Sequence, residues 1–304
     1  MRGWLVVGFI VTSCSSLPPF EPTITYLPPQ SLISSLPTAF PPLDKEELQT
    51  LWGKELYLGT RFADEGDGYR AITAFKSSLF LLPKKEVERK QQLEFYLFLS
   101  YYVAGKYREA CEVYENSSLV DLKEDFPAKK ELFVALWECY DKTGQCEKAR
   151  LIQNRQEPLL QEDLSLLKAV ETGDISSLEH HRDRSAIDCL LKDYGSEMKS
   201  PSKARSLQAI LPGAGYWYVG QKKSAITSFV INTLFLAAAA QFFERGYYAP
   251  ALITLSLEAG WYFGGINGAG LAANEYNEHL YEGLAKETLI KERLFPILKF
   301  EVAF

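Results

Sequence analysis

The chain has 304 residues, of which 47% are hydrophobic and 24% charged, with a formal net charge of −6. That is enough apolar residue for a packed core in one or two domains, and the acidic balance argues against nucleic acid as the main partner. No G-x-S-x-G, Walker or Rossmann glycine pattern occurs, and the five cysteines lack zinc-type spacing. His180 and His181 sit in a charged run that reads as a solvated face, so no catalytic residue, metal site or cofactor is assigned.

The N-terminus reads MRGWLVVGFIVTSCSS. Arg2 supplies a positive start, and Gly3–Val11 is an apolar stretch too short to span a bilayer but suited to a signal-peptide core. Val11-Thr12-Ser13 before Cys14 resembles the lipobox of bacterial lipoproteins, whereas an ordinary secretory signal would more often show an A-x-A pattern. The resemblance implies a signal peptide over 1–13, diacylglycerol on the Cys14 sulfur, and a mature chain anchored in membrane lipid and facing the periplasm. Ser15, where inner-membrane retention in enteric bacteria uses aspartate, favours the outer membrane slightly.

Residues 14–47 form the anchor and a linker. Eight of the fifteen prolines lie between Pro18 and Pro42. Proline fixes φ and removes a donor, so this stretch is expected to be extended and poorly packed.

A repeat occupies 48–195. Gly66, Gly105 and Gly144 are 39 residues apart, and so are Ala71, Ala110 and Ala149. Apolar helical patterns precede each glycine: Leu58 and Phe62, then Leu97, Phe98 and Tyr101, then Leu136, Trp137 and Tyr140. This is similar to the tetratricopeptide repeat (TPR), best matched by Leu58-Gly59, Phe62, Gly66, Ala71, Phe75 and Pro83. The period exceeds that family's usual 34 residues, Gln153 replaces the aromatic of Phe75 and Tyr114, and a fourth unit around LSLLKAVETGDISSLEHH is irregular. The resemblance implies stacked helix pairs with a concave face that binds a protein partner. Thr60, Asp64, Phe95, Leu99, Tyr102, Glu138 and Asp141 then face the groove. The helix LEFYLFLSYYVAG is apolar on nearly every side, which fits a central place in the stack. Cys139 and Cys146 flank a turn; free thiols are the favoured reading over a bond between them.

After the polar break at 196–206, residues 196–304 form a hydrophobic domain with an amphipathic tail. Ala225–Phe243 carries no charge, and Ala249–Gly268 carries only Glu258. Each is long enough to cross a bilayer, with a turn at Glu244–Tyr248 and aromatic residues crowding the ends as interfacial anchors do. Gly260, Gly264 and Gly268 form a ridge that permits close helix approach and self-association in lipid. Asn232 and Glu258, equidistant from the turn to within one helical turn, are expected to pair across the hairpin. Pro212-Gly213-Ala214-Gly215-Tyr216-Trp217-Tyr218-Val219-Gly220 resembles the P-G-x-G-x-x-Y-x-G opening of small membrane hairpin domains of unassigned function. Lys203, Arg205, Lys222 and Lys223 flank the first span on the side that the positive-inside rule reserves for the cytoplasm. Three arrangements accommodate this: an additional dipping segment at 207–220, a hairpin in an outer membrane or assembly, or no lipobox.

The expected fold class is therefore all-α, a TPR-like array followed by a membrane-embedded helical hairpin. The expected function is a non-enzymatic interaction scaffold of the cell envelope, serving assembly or insertion of envelope proteins. The alternative is a small transport or channel subunit formed by the hairpin.

Overall fold

The computed structural model describes residues 20–26 and 28–304; the signal-like segment and Cys14 lie outside the described residues. Within them the fold is all-α, and an isolated bridge between Thr38 and Ala303 is the extended pairing it contains. The chain divides into two units. An array unit holds Ile24–Cys189 and Ala285–Phe304; an apolar unit holds Leu190–Leu284 with Phe20–Thr23.

Glycine sets the rhythm in both. Gly66, Gly105, Gly144, Gly173, Gly220 and Gly246 all sit at φ between 67° and 90°. The N–H after each glycine bonds the carbonyl five residues back: Asp67 to Phe62 at 2.8 Å, Lys106 to Tyr101 at 2.9 Å, Gln145 to Tyr140 at 2.8 Å, and likewise at the other three. This is the Schellman end, which satisfies orphan carbonyls and needs a residue without a Cβ penalty.

In the array unit a short helix α1 (Gln30–Ser34) precedes successive antiparallel pairs. These are α2 (Leu51–Asp64) with α3 (Gly68–Leu81), α4 (Val87–Val103) with α5 (Tyr107–Glu115), α6 (Lys129–Lys142) with α7 (Cys146–Gln153), and α8 (Pro158–Thr172) with the five-residue α9 (Ile175–Glu179). The 39-residue spacing places Ala71, Ala110 and Ala149 on the second helix of three pairs, each buried. Within the first pair, a Cβ on Gly59 would lie 2.5 Å from the Phe75 ring, so only glycine lets α2 and α3 close. Helix α4 is the centre of the stack. It packs on α3, α5 and α6 and buries Leu93, Phe95, Tyr96, Leu97, Phe98 and Leu99. Gln153, where the other repeats carry an aromatic, donates to the Gln161 carbonyl at 3.1 Å and Ser165 Oγ at 2.8 Å. A polar join thus replaces an apolar plug before α8.

The proline-rich stretch departs from the expected loose linker. Ile24, Ile33 and Phe40 are buried, and Tyr26 stacks on Phe295 at 4.6 Å. Arg89 fastens the stretch to α4. It donates to the carbonyls of Pro41 and Pro42 and to both Glu47 oxygens, at 2.7–3.1 Å. The proline carbonyls, free because no helix or ladder engages them, are what the guanidinium collects.

The apolar unit follows α10 (Ser185–Glu197), which crosses into it. Helices α11 (Pro201–Ile210), α12 (Ala214–Val219), α13 (Lys222–Glu244) and α14 (Tyr248–Lys291) complete the chain's helices. Gly213, at φ 95°, opens α12, and a Cβ on it would lie 2.4 Å from the Ala225 carbonyl oxygen. A Cβ on Gly215 would lie 2.3 Å from the Ala204 carbonyl oxygen. The glycine motif thus works as close-packing geometry. Among the described residues one helix, α13, is long and apolar enough to cross a membrane, with mean hydropathy 1.7 over its most apolar window. The expected second span differs. Instead of stopping at Gly268, α14 runs 44 residues, about 66 Å at 1.5 Å per residue. Its small and polar residues dilute the hydropathy, and its later turns continue as an ordinary amphipathic helix.

Candidate functional site

The face of the array formed by α3, α4 and α6 is covered by the chain's own last residues. After α14 the backbone makes one 3₁₀ turn at Pro296–Lys299, which packs on α6, and then runs extended. Phe300 stacks on Tyr102 at 5.8 Å and 28°. Phe304 stacks on Phe75 at 6.1 Å and 10° and meets Tyr96 at 5.6 Å. The Ala303 N–H donates to the Pro37 carbonyl at 2.9 Å, beside the parallel bridge of Thr38 to Ala303. Two extended segments, one from the proline-rich stretch and one from the tail, therefore lie side by side against the array. Thr38 Oγ1 also bonds Tyr96 Oη at 2.7 Å, and Phe40 packs on Phe95, Tyr96 and Phe126.

This changes the reading of the groove residues. Phe95, Leu99 and Tyr102 are buried, so they present no open face. The Tyr102 hydroxyl donates to Glu138 Oε2 at 2.5 Å, which brings two of the expected residues together beneath Phe300. Burial pushes the Glu138 carboxyl up to about 7, against the lowering effect of that hydrogen bond. Burial and the adjacent Glu138 carboxyl hold the Tyr102 phenol well above its usual range. Asp141 is committed to Lys168 of α8, with both oxygens at 2.8 Å. Thr60 donates to its own helix at the Tyr57 carbonyl, 2.8 Å away, and Asp64 pairs with Arg61 at 3.9 Å. The residues that sequence reasoning missed are Phe300, Phe304 and Glu131. The signal for Phe300 and Phe304 was the dense apolar run FPILKFEVAF, which has no helical or strand period; Glu131 had none.

In the apolar unit, Asn232 is 2% exposed. Its amide donates back to the Ser228 carbonyl at 2.6 Å, and among the described residues Oδ1 has no hydrogen-bond partner. The pairing with Glu258 is therefore not formed. Gln208 is the connector instead. Its Nε2 donates to Ser228 Oγ at 2.9 Å and its Oε1 accepts from the Gly213 N–H at 2.9 Å. Gly265 lies beside Gln208 and Ser228. Ser228 on α13 and Gly265 on α14 are nearly equidistant in sequence from Gly246. Of the glycine ridge, Gly260 and Gly264 face open space in a cleft of about 520 Å³ that Lys223, Thr227 and Trp261 also line, while Gly268 abuts the Tyr216 hydroxyl. The four described cysteines, Cys111, Cys139, Cys146 and Cys189, are free thiols. Among the described residues no group of His, Cys, Asp and Glu is placed to hold a metal.

No family model, curated protein or solved structure matches the chain.

Proposed function

We propose that the protein is a membrane-bound interaction scaffold of the bacterial cell envelope. Cys14 is its lipid anchor, α13 and the first half of α14 form a hairpin in lipid, and the TPR-like array is its binding module. The observation that carries the reading is the outward face of the hairpin. Ile226, Val230 and Leu234 recur at four-residue spacing on α13, and Leu252, Ile253, Leu257 and Phe263 stand out from α14, all more than two-fifths exposed. The inward face of α13 carries Ala225, Ser228, Asn232 and Ala239 instead. Large apolar residues outside and small or polar ones inside is the arrangement that lipid favours, because helices there associate by close packing and hydrogen bonds. Tyr216 and Trp217 of α12, with Lys222 and Lys223 at the start of α13, suit a headgroup interface.

Fractionation tests this. The full chain expressed in a bacterial host should resist extraction by alkaline carbonate and dissolve in detergent, and Cys14→Ser should lose labelling by a fatty-acid analogue. Crosslinking in native membranes should then capture envelope proteins. A wild-type chain recovered in the soluble fraction would end the membrane reading.

A further inference from the structure

Residues 300–304 occupy the array as a bound peptide would. Two of their hydrogen bonds to it run through backbone N–H groups. The Glu301 N–H donates to Glu131 Oε1 at 3.1 Å, and the Ala303 N–H donates to the Pro37 carbonyl. Such bonds recognise an extended main chain whatever its side chains. Glu131 is buried, and the Glu301 N–H is the hydrogen-bond donor it has among the described residues. A buried carboxylate is costly without a donor, so this point of the groove is built to receive a passing peptide N–H. Selectivity comes from two aromatic seats, Tyr102 under Phe300 and Phe75 with Tyr96 under Phe304. The seats fall four residues apart along the occupant.

The charged attachments of the tail are dispensable to the array. Lys130 and Glu301 pair with side chains 46% and 74% exposed, where an ion pair contributes little. Lys299 pairs with Asp163 Oδ2 at 2.5 Å, but Asp163 Oδ1 also holds Arg184 at 2.9 Å. That carboxylate keeps a cation when the tail leaves. The Tyr96 hydroxyl retains Thr38 and Gln92, and Arg89 retains Glu47. Departure of 299–304 thus bares two aromatic seats and Glu131 without stranding a buried ion pair.

The geometry points to a groove that binds, in trans, an extended segment of a partner protein with the pattern aromatic-acidic-x-x-aromatic, the chain's own Phe300–Phe304 being a tethered occupant that this segment displaces. The acidic position faces Lys130, as Glu301 does. The inference deepens the scaffold reading and rests on it for the existence of a protein partner.

The test uses the full chain in detergent micelles and a fluorescent synthetic peptide of residues 296–304 as probe. Phe300→Ala with Phe304→Ala weakens the tethered occupant, which otherwise competes at an effective concentration in the millimolar range. The peptide should bind this variant at least tenfold more tightly than wild type, and adding Glu131→Gln should reverse most of the gain. Equal affinity for wild type and variant would overturn the proposal. Hydrogen exchange on the wild-type chain guards against a variant that fails to fold. The Glu301 and Ala303 amides should exchange faster than those of α4 and α6; exchange of all of them together would make the tail a fixed part of the core and end the idea. A concentration-dependent dimer abolished by Phe300→Ala and Phe304→Ala would give the groove to a second copy instead, which also overturns it. Peptide binding does not depend on lipid, so it can fail while carbonate extraction still places the chain in a membrane, and the reverse.

Discussion

The array unit buries Phe75, Phe95, Tyr96 and Phe98 and pairs its charges at the surface, as Lys142 does with Glu171 of α8 at 2.9 Å. The apolar unit buries Ala204, Val219, Ala269, Ala272 and Ala273 as one cluster, also buries Ser228 and Asn232, and leaves Ile226, Phe229, Leu234, Leu252, Leu257 and Phe263 of α13 and α14 exposed. Its one large fully buried aromatic, Tyr281, packs edge-on against Phe20 and Tyr194 towards the end of α14. The same Schellman turn serves both units, at Gly144 and at Gly246. The helix ends therefore follow one local rule, while what is buried differs, as the proposed lipid setting of the apolar unit requires. In water, burying a large aromatic contributes roughly 1.5–3 kcal/mol. Between helices in lipid that gain is absent, and small residues that bring backbones together are favoured.

The contrast is open to direct attack. The largest effect is expected from Ala110→Arg, which forces a long cation into a fully buried contact between helices of the array. A cost above about 4 kcal/mol should unfold it, seen as loss of the cooperative thermal transition by circular dichroism. An intact transition would mean that the small residues of the array are not close-packing points.

Next comes a matched pair of exposed positions. Leu234 on α13 is 63% exposed and Phe80 on α3 is 89% exposed. Arginine in place of Leu234 should cost about 3 kcal/mol of membrane insertion, read as protein released by carbonate. Arginine in place of Phe80 should change array stability by less than about 0.5 kcal/mol. Equal tolerance of both would erase the distinction between the units.

A pH dependence should belong to the array alone. Burial raises the Glu138 carboxyl to about 7 when folded, against an ordinary value of 4.5. Between those values the native state holds more protons than the unfolded one, so stability falls as pH rises through this window and levels off above about 7. The linkage is at most about 3 kcal/mol. Tyr102→Phe removes the hydrogen bond that favours the carboxylate, so denaturation midpoints should then keep falling to higher pH. A midpoint independent of pH from 5 to 8 would show Glu138 to be solvated. The smallest effect, about 1–2 kcal/mol, is expected for Gly144→Ala and Gly246→Ala alike, since each puts a Cβ on a left-handed residue. Denaturant titration of the array and thermal inactivation of the hairpin would read it; a cost confined to one unit would show that the turn is not shared.

Sequence patterning carried a good part of this. The 39-residue recurrence of glycine and alanine located three helix pairs and their close contacts, because turn geometry and small-residue packing act through single residue types at fixed positions. The uncharged run before Glu244 located α13 for a similar reason. The tail was illegible as a ligand: FPILKFEVAF shows its apolar character but not which surface it meets. Phe40 and Thr38 were masked by the prolines around them. Composition made that stretch look unpacked, while the free carbonyls of Pro41 and Pro42 became the acceptors that tie it down. The Asn232 partner was also beyond reach, since spacing fixes depth along a helix and not the direction a side chain takes.

Four of the five tryptophans lie among the described residues: Trp52 and Trp137 are buried in the array, whereas Trp217 and Trp261 are more than two-fifths exposed in the apolar unit. Chains retaining Trp261 alone or Trp137 alone, the others replaced by phenylalanine, can be reconstituted into vesicles whose acyl chains carry bromine. Lipid contact at the outer face of α14 should quench Trp261 strongly and leave Trp137 unchanged. Trp261 emission as bright as in unbrominated vesicles would contradict the claim that this unit turns its apolar side chains to lipid.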